Sequence, residues 1–181
     1  MANMKTKHWV IILVLVLLGL IIYLANRPER QFENYEFSGN NLVFNLHEKT
    51  YLDTIVHVGL DKMELQGALV IIRPQTKPKE IDGKYETEAY IVTNGQQYVI
   101  WIKPNLDRAK AINVLAHELI HLKQYATGQL WVVGGKTIMW QGEIIPDITQ
   151  IEYSERPWEI QAFQQGAYLS KDIKAVLWPK N

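Results

Sequence analysis

The sequence contains no cysteine, and this absence sets the first limits on its chemistry. Without cysteine the chain forms no disulfide, offers no thiolate ligand to a metal and has no cysteine nucleophile. It also has no excess of either charge, because 19 lysine and arginine residues balance 19 aspartate and glutamate residues. Nothing in this balance points to a nucleic acid or to an acidic partner. The length of 181 residues allows one domain.

Charge is missing altogether from residues 9–25, where nearly every position is Ile, Leu or Val. As a helix these 17 residues span about 25 Å, which is short for a bilayer core of about 30 Å but workable with flanking anchors. Trp9 and Tyr23 lie near the two ends, as aromatic residues do at a membrane interface. We predict an uncleaved transmembrane anchor at residues 9–25, after a tail at 1–8 and before a linker at 26–41.

A cleaved secretory signal is the alternative for this segment. Lys5 and Lys7 give it a positively charged start, but the cleavage pattern is poor because Tyr23 stands two residues before Ala25. The positive-inside count is nearly balanced, since two lysines and the terminal amine precede the segment and two arginines follow it. It favours, by a small margin, a cytoplasmic amino terminus with the domain outside the cytoplasm.

Short β-prone runs follow the linker. Residues 42–46 and 66–73 predict two strands, whereas residues 50–60 are ambiguous between helix and strand. Residues 86–93 and 96–103 predict a hairpin, because the dipeptide Asn-Gly between them suits a two-residue type I′ turn.

The most informative stretch is residues 106–127, a helical run that contains His-Glu-x-x-His at His117, Glu118 and His121. Two histidines four residues apart lie one turn apart on one helical face, so both imidazoles can reach a single zinc ion. The glutamate between them projects beside the pair, where it can deprotonate a zinc-activated water. The alternative is a pair of ordinary surface or core histidines.

The pattern around the motif predicts an amphipathic helix. Lys110, Asn113 and Gln124 share the polar stripe of the two histidines, and the opposite side is apolar. Asn105 or Asp107 can cap the amino terminus, Asp107 also suits the first turn electrostatically, and Gly128 suits the position just past the end.

The remainder of the chain is predicted to contain a second hairpin and a second long helix. Residues 129–141 carry two β-prone runs around a Gly-Gly pair. Ser154 is predicted to cap a helix over residues 155–168. We expect a break at Ser170 and then a short final helix.

Two histidines are not enough for a catalytic zinc, which normally has three protein ligands and an open position for water. No third histidine follows the motif, so a downstream carboxylate is the natural third ligand. The candidates are Glu143, Asp147, Glu152, Glu155 and Glu159. Glu159 is favoured because the small residues Ala162 and Gly166 would let its helix face pack closely against the metal helix. Glu155 shares that face and is the alternative.

Two stretches of the sequence resemble a known family. They are LAHELIHLKQY at residues 115–125 and YSERPWEIQAF at residues 153–163. Over residues 98–168 the chain is similar to small HExxH zinc metallopeptidase-like domains of bacteria and their phages. These domains belong to the glutamate-ligand branch of the zincins.

The resemblance implies roles for four residues. His117, His121 and Glu159 would bind Zn2+, and Glu118 would be the catalytic general base. The chain departs from the family pattern at Gln161, where such domains often have glutamate, and we assign Gln161 no role.

We therefore predict an α+β, zincin-like domain at residues 42–181. In it a small, mainly antiparallel sheet packs against the metal helix, and a second helix carries the third ligand. The expected function is that of a membrane-anchored zinc metallopeptidase, with a peptide or protein as substrate, the lipid bilayer as a partner of residues 9–25, and no nucleic acid. The alternatives are a metal-binding, non-proteolytic interaction module and a cell-wall amide hydrolase.

Two further features have alternative interpretations. The hairpin over residues 86–103 would offer an edge strand to an extended substrate, or would belong only to the core. Tyr153 would donate a hydrogen bond to a developing oxyanion, or would only pack as an aromatic residue.

Overall fold

The structure, a computed structural model, describes residues 40–77, 79–81 and 85–179. Within these residues three helices and small sheets form an α+β fold, as predicted. The helices are α1 (Tyr51–Lys62), α2 (Arg108–Ala126) and α3 (Pro157–Leu177). The strands are β1 (Leu42–Asn45), β2 (Leu69–Pro74), β3 (Glu80–Ile81), β4 (Tyr85–Glu86), β5 (Ala89–Thr93), β6 (Tyr98–Ile102), β7 (Leu130–Gly134), β8 (Thr137–Trp140) and β9 (Glu143–Ile145).

The main sheet has four strands in the order β1-β2-β6-β5. The pairs β1–β2 and β2–β6 are parallel, and only β5–β6 is antiparallel. The prediction of a mainly antiparallel sheet is therefore wrong for this sheet. The reason is α1, because parallel neighbours need a crossover connection and this helix supplies it between β1 and β2.

Helix α1 occupies the segment that the sequence leaves ambiguous. Its apolar residues Leu52, Ile55, Val56 and Leu60 recur with helical spacing, and all four are buried. They help to cover the face of the main sheet whose side chains are fully buried. That face includes Val70, Ile72, Ile100 and Ile102.

The connection between β5 and β6 differs from the predicted two-residue type I′ turn. The pairing ends at Thr93 and Tyr98, so the loop comprises the four residues 94–97. A type I′ turn needs positive φ at both central residues, and only Gly95 (φ 87°) has it. Instead, the side-chain oxygen of Asn94 accepts hydrogen bonds from the backbone N–H groups of Gln96 and Gln97, each at 3.0 Å.

Helix α2 has the predicted ends. The Asp107 side chain accepts a hydrogen bond from the backbone N–H of Lys110 at 2.8 Å, and Gly128 follows the helix with φ 72°. The apolar side of α2 is buried as expected at Ile112, Leu115, Leu119 and Leu122.

The second hairpin is present and gains a third strand. Strands β7, β8 and β9 form an antiparallel sheet. Leu130 and Ile138 of this sheet pack with Trp158 of α3 in a small apolar cluster. This contact fixes the first turn of α3 beside the end of α2.

Helix α3 is continuous, so the predicted break at Ser170 is wrong. Ser170 is buried, and its hydroxyl donates a 2.6 Å hydrogen bond to Asn113 Oδ1 on α2. The side chain therefore serves a contact between helices and does not end one. The cap is Arg156, not Ser154, and its guanidinium donates to the carbonyls of Ile148 and Ile151.

The predicted anchor at residues 9–25 lies outside the described residues, as does most of the predicted linker. Asn41, at the end of that linker, is buried and bonds the Leu65 carbonyl and the Ala68 N–H through its side-chain amide. Within the described ranges, no helix combines the length and the apolar character needed to cross a bilayer.

Helices α2 and α3 approach closely at Gly166, which confirms the role predicted for the small residues. Ala162 is fully buried. A Cβ on Gly166 would lie 3.2 Å from His117 Cα and 3.3 Å from His117 N, which are backbone atoms of a helix. Such atoms move only when the helix moves, so glycine sets the separation of the two helices.

We expect Gly166→Ala to destabilise the fold. Overpacking costs about 1–3 kcal/mol, and this outweighs the roughly 1 kcal/mol that alanine adds to an isolated helix. The melting temperature should fall by roughly 2–4 °C for each kcal/mol lost. Gln165→Ala, at the adjacent exposed position, is the control and should leave the melting temperature nearly unchanged. A Gly166→Ala variant that melts above the parent would contradict the close approach.

Candidate metal centre

Helix α2 presents the two histidines of the motif to the same point. His117 and His121 are one turn apart, and their Nε2 atoms are 3.1 Å from each other. The rings meet edge to face, with centroids 4.7 Å apart. His121 is buried, whereas His117 is partly exposed toward a cleft.

The first turn of α3 brings Glu159 to this pair, as predicted. Its Oε2 atom lies 3.3 Å from the Nε2 atom of His117 and 3.3 Å from that of His121. The three atoms therefore form a nearly equilateral triangle. In the part of the chain that the structure describes, His117, His121 and Glu159 form a group that could hold a metal ion, which we call the metal group.

The alternative third ligand, Glu155, is not part of this group. It is exposed and lies in the 3-10 turn Tyr153–Glu155, before α3 begins. Glu143 and Glu152 are also exposed, and Asp147 caps a separate 3-10 turn through Thr149. The shared helical face that makes Glu155 a candidate does not exist, because α3 starts two residues later.

The Glu159 carboxylate is buried without a matching donor for one of its oxygens. Its Oε2 atom receives no well-aligned hydrogen bond from a protein group, although the Tyr153 hydroxyl also lies near the carboxylate. A buried anion is costly unless it is paired or binds a metal. The orphaned oxygen faces the two Nε2 atoms, so a cation at the centre of the triangle would satisfy all three atoms.

The electrostatics of the group also favour a positive charge at its centre. Burial acts to raise the pKa of Glu159, but the imidazoles of His117 and His121 outweigh it and hold this pKa well below its usual range. Burial acts to lower the pKa of His121, but Glu159 outweighs it and raises this pKa to about 9. A metal cation at the centre of the triangle would supply that charge.

Glu118 lies beside the metal group and is buried. Burial raises its pKa, against the opposing effect of His121 and His117. Glu118, His117, His121 and Glu159 all line a cleft of about 860 Å³.

The cleft has two dissimilar walls. One is the edge strand β5, through Ala89, Tyr90 and Ile91, and the other is α3, through Ala162 and Phe163. The ring of Phe163 lies against that of His117, with centroids 4.6 Å apart. His117, His121 and Glu159 therefore line a largely apolar cleft.

Two glutamines near the site have contacts that the sequence interpretation did not assign. Gln124 is almost fully buried and bonds His121, and Gln161 accepts a hydrogen bond from Gln124. One signal was present for Gln124, because it shares the polar stripe of the histidines and lies three residues after His121. A glutamine in that position on a buried helix face needs polar partners. For Gln161 no such signal exists in the sequence.

Comparisons with protein-family models, with curated proteins and with solved structures found no match to this chain.

The geometry predicts a single metal site that depends on Glu159. With Zn2+ as the probe ion, we expect about one ion per chain to survive dialysis, measured by elemental analysis. Glu159→Ala should weaken binding by more than about 100-fold, since even the loss of an outer-shell partner costs 10–100-fold.

The matched control is Glu155→Ala, which removes an exposed glutamate from the same stretch and should keep full metal content. Full retention by the Glu159 variant would place the third ligand elsewhere. Circular dichroism of both variants would establish that they are folded.

Proposed function

We propose that this protein is a zinc-dependent hydrolase of peptide bonds, with a zincin-like domain. The observation that carries the proposal is the convergence of His117, His121 and Glu159 at the base of a cleft, with Glu118 beside them. A site that only stabilised the fold would need no open cleft and no carboxylate outside the ligand set. The resemblance to HExxH metallopeptidase-like domains is consistent with this assignment.

The donor set and its dimensions fit zinc. Bonds of about 2.0–2.2 Å in a tetrahedral arrangement place neighbouring ligand atoms roughly 3.3–3.6 Å apart, so small outward shifts of the side chains would accommodate the ion. The observed separations are 3.1 Å, 3.3 Å and 3.3 Å. Two imidazoles and one carboxylate also match the ligand chemistry of catalytic zinc sites, which keep one position free of protein. Zinc bound there would supply Lewis-acid activation of a water and of the scissile carbonyl.

In this mechanism Glu118 moves the proton. It follows His117 directly, is not one of the three ligands and lines the cleft where a substrate would lie. Its carboxylate would accept a proton from the attacking water and then deliver it to the nitrogen of the leaving amine. The Tyr153 hydroxyl lies near the Glu159 carboxylate, where it would help to hold this ligand in place.

The shape of the cleft supports an extended peptide as substrate. Strand β5 is at the edge of the main sheet and pairs with β6 on one side, and among the described residues no strand pairs with its other side. An extended chain can add to such an edge as one more strand, held by backbone hydrogen bonds. The apolar wall of α3 would then contact its side chains.

The location at a membrane is part of the same proposal. Residues 9–25 would form a single-pass anchor, and the linker that follows would hold the catalytic domain outside the cytoplasm. A substrate would then be met close to the membrane surface.

The test of catalysis is Glu118→Gln in the zinc-loaded chain. We expect this variant to keep its zinc, because Glu118 is not a ligand, while cleavage of a labelled unfolded protein falls by about 10²–10⁴-fold. Cleavage would be followed by fluorescence release and mapped by mass spectrometry, with zinc content measured on the same samples.

The outcome that would contradict the proposal is a zinc-loaded parent chain that cleaves no bond in unfolded protein or in a peptide library. Equal rates for the parent and the Glu118 variant would also contradict it, since they would point to a contaminating protease. A chain that binds zinc without turnover would instead support the non-proteolytic interaction module.

A further inference from the structure

Gln124 is the polar side chain that ties the two ligand-bearing helices together. It belongs to α2, lies three residues after His121 and has only 1% of its surface exposed. Its Oε1 atom is 2.8 Å from Nδ1 of His121. Its Nε2 atom donates to the carbonyl of Trp158 at 2.9 Å and to Oε1 of Gln161 at 2.9 Å.

These contacts determine which way round the Gln124 amide lies. A backbone carbonyl can only accept a hydrogen bond, so the Trp158 carbonyl requires the NH2 group to face α3. The reversed amide would place two oxygens against each other at a buried position, which is costly. Oε1 of Gln124 therefore faces His121.

The orientation of the amide in turn determines the tautomer of His121. An amide oxygen accepts a hydrogen bond, so Nδ1 of His121 must carry the proton. The Nε2 atom of the neutral ring is then left with a lone pair, and it is this atom that points to Glu159 and to His117. Histidines that bind metals in proteins have this arrangement, in which one ring nitrogen donates to a partner and the other is free to bind the metal.

The same amide acts on the second helix. Trp158, whose carbonyl it binds, directly precedes Glu159 in the chain. One buried side chain thus holds the ring of one ligand and the backbone next to another. We propose that Gln124 is a positioning residue of the metal centre, which selects the metal-binding tautomer of His121 and aligns it with Glu159. This inference rests on the proposed zinc site.

His117 is held differently, which makes the role of Gln124 specific to one ligand. The Nδ1 atom of His117 is buried without a hydrogen-bond partner among the described residues. Its ring is held by packing against Phe163, and its backbone by the contact with Gly166. Loss of the Gln124 amide should therefore release His121 and leave His117 in place.

The experiment measures zinc affinity of the full-length chain in detergent, by competition with a chromophoric chelator. Gln124→Met keeps the length of the side chain but removes both the acceptor and the donor, and zinc binding should weaken by about 10–100-fold. Gln124→Glu keeps an oxygen opposite Nδ1 of His121. It should recover zinc affinity to within about tenfold of the parent. Its melting temperature should be lower than that of the parent, because the carboxylate lacks the N–H that donates to the Trp158 carbonyl.

Two controls separate positioning from simple loss of stability. Gln161→Met removes one hydrogen bond of Gln124 but leaves its contacts with His121 and Trp158, so zinc affinity should stay within about threefold of the parent, below the range of an outer-shell loss. Ile173→Val lowers the stability of the fold at a buried position on α3 outside the metal group, and it should leave zinc affinity unchanged.

The possible failures are distinguishable. A parent chain that binds no zinc would overturn both this inference and the proposed function. A parent chain that binds zinc, with equal affinity in Gln124→Met, would overturn only the role of Gln124. Weakening by Gln124→Glu to the same extent as by Gln124→Met would also overturn it, because the acceptor for His121 would then be irrelevant.

Discussion

The structure depends on one constraint, which is that the carboxylate of Glu159 is buried against two imidazoles on a neighbouring helix. A buried carboxylate is stable only when positive charge or hydrogen-bond donors surround it. Here the nearest groups are the Nε2 atoms of His117 and His121, each 3.3 Å away. These distances require the backbones of α2 and α3 to approach closely, and this approach is possible because residue 166 is a glycine without a Cβ atom.

Polar contacts on both sides of the close approach at Gly166 keep α2 and α3 in register with each other. On one side Asn113 accepts hydrogen bonds from Ser170 and Lys174 of α3, both at 2.6 Å. On the other side Gln124 reaches the Trp158 carbonyl. Hydrophobic packing alone would allow the helices to slide, because apolar contacts are not directional. Directional hydrogen bonds at two separated points fix both the separation and the rotation, and a metal centre needs both.

The sequence was most informative where chemistry constrained it locally. The spacing of His117 and His121, the caps of α2, and the small residues that follow Glu159 each depend on a few neighbouring positions, and the structure agrees with them. It was least informative about strand pairing. A β-prone run does not show which neighbour it will pair with. The parallel β1–β2 pair depends on α1, whose β-branched residues suit either a helix or a strand.

The errors near α3 have a related physical origin. Ser170 is a poor helix residue by intrinsic propensity, but tertiary contacts override propensity when a side chain finds a buried partner. Asn113, the partner of Ser170, is 57 positions away in the chain. The same distance effect hid Gln124, whose bonds to α3 join residues 34 and 37 positions apart. The polar stripe of α2 indicated only that Gln124 needs polar partners, and a local pattern does not identify partners that are so remote in the chain.

The topology of the main sheet determines what the metal group faces. Because β1 and β2 extend the sheet on the far side of β6, strand β5 of the hairpin is left at the opposite edge. That edge forms one wall of the cleft, and α3 forms the other. The parallel pairing of β2 with β6 therefore leaves β5, the other strand of the hairpin, beside His117, His121 and Glu159. An unpaired strand edge is normally a hazard, since it invites association with other chains. Here the edge strand lines a cleft that also contains a buried carboxylate and two imidazoles, so under the proposed function the unpaired edge would orient an extended substrate.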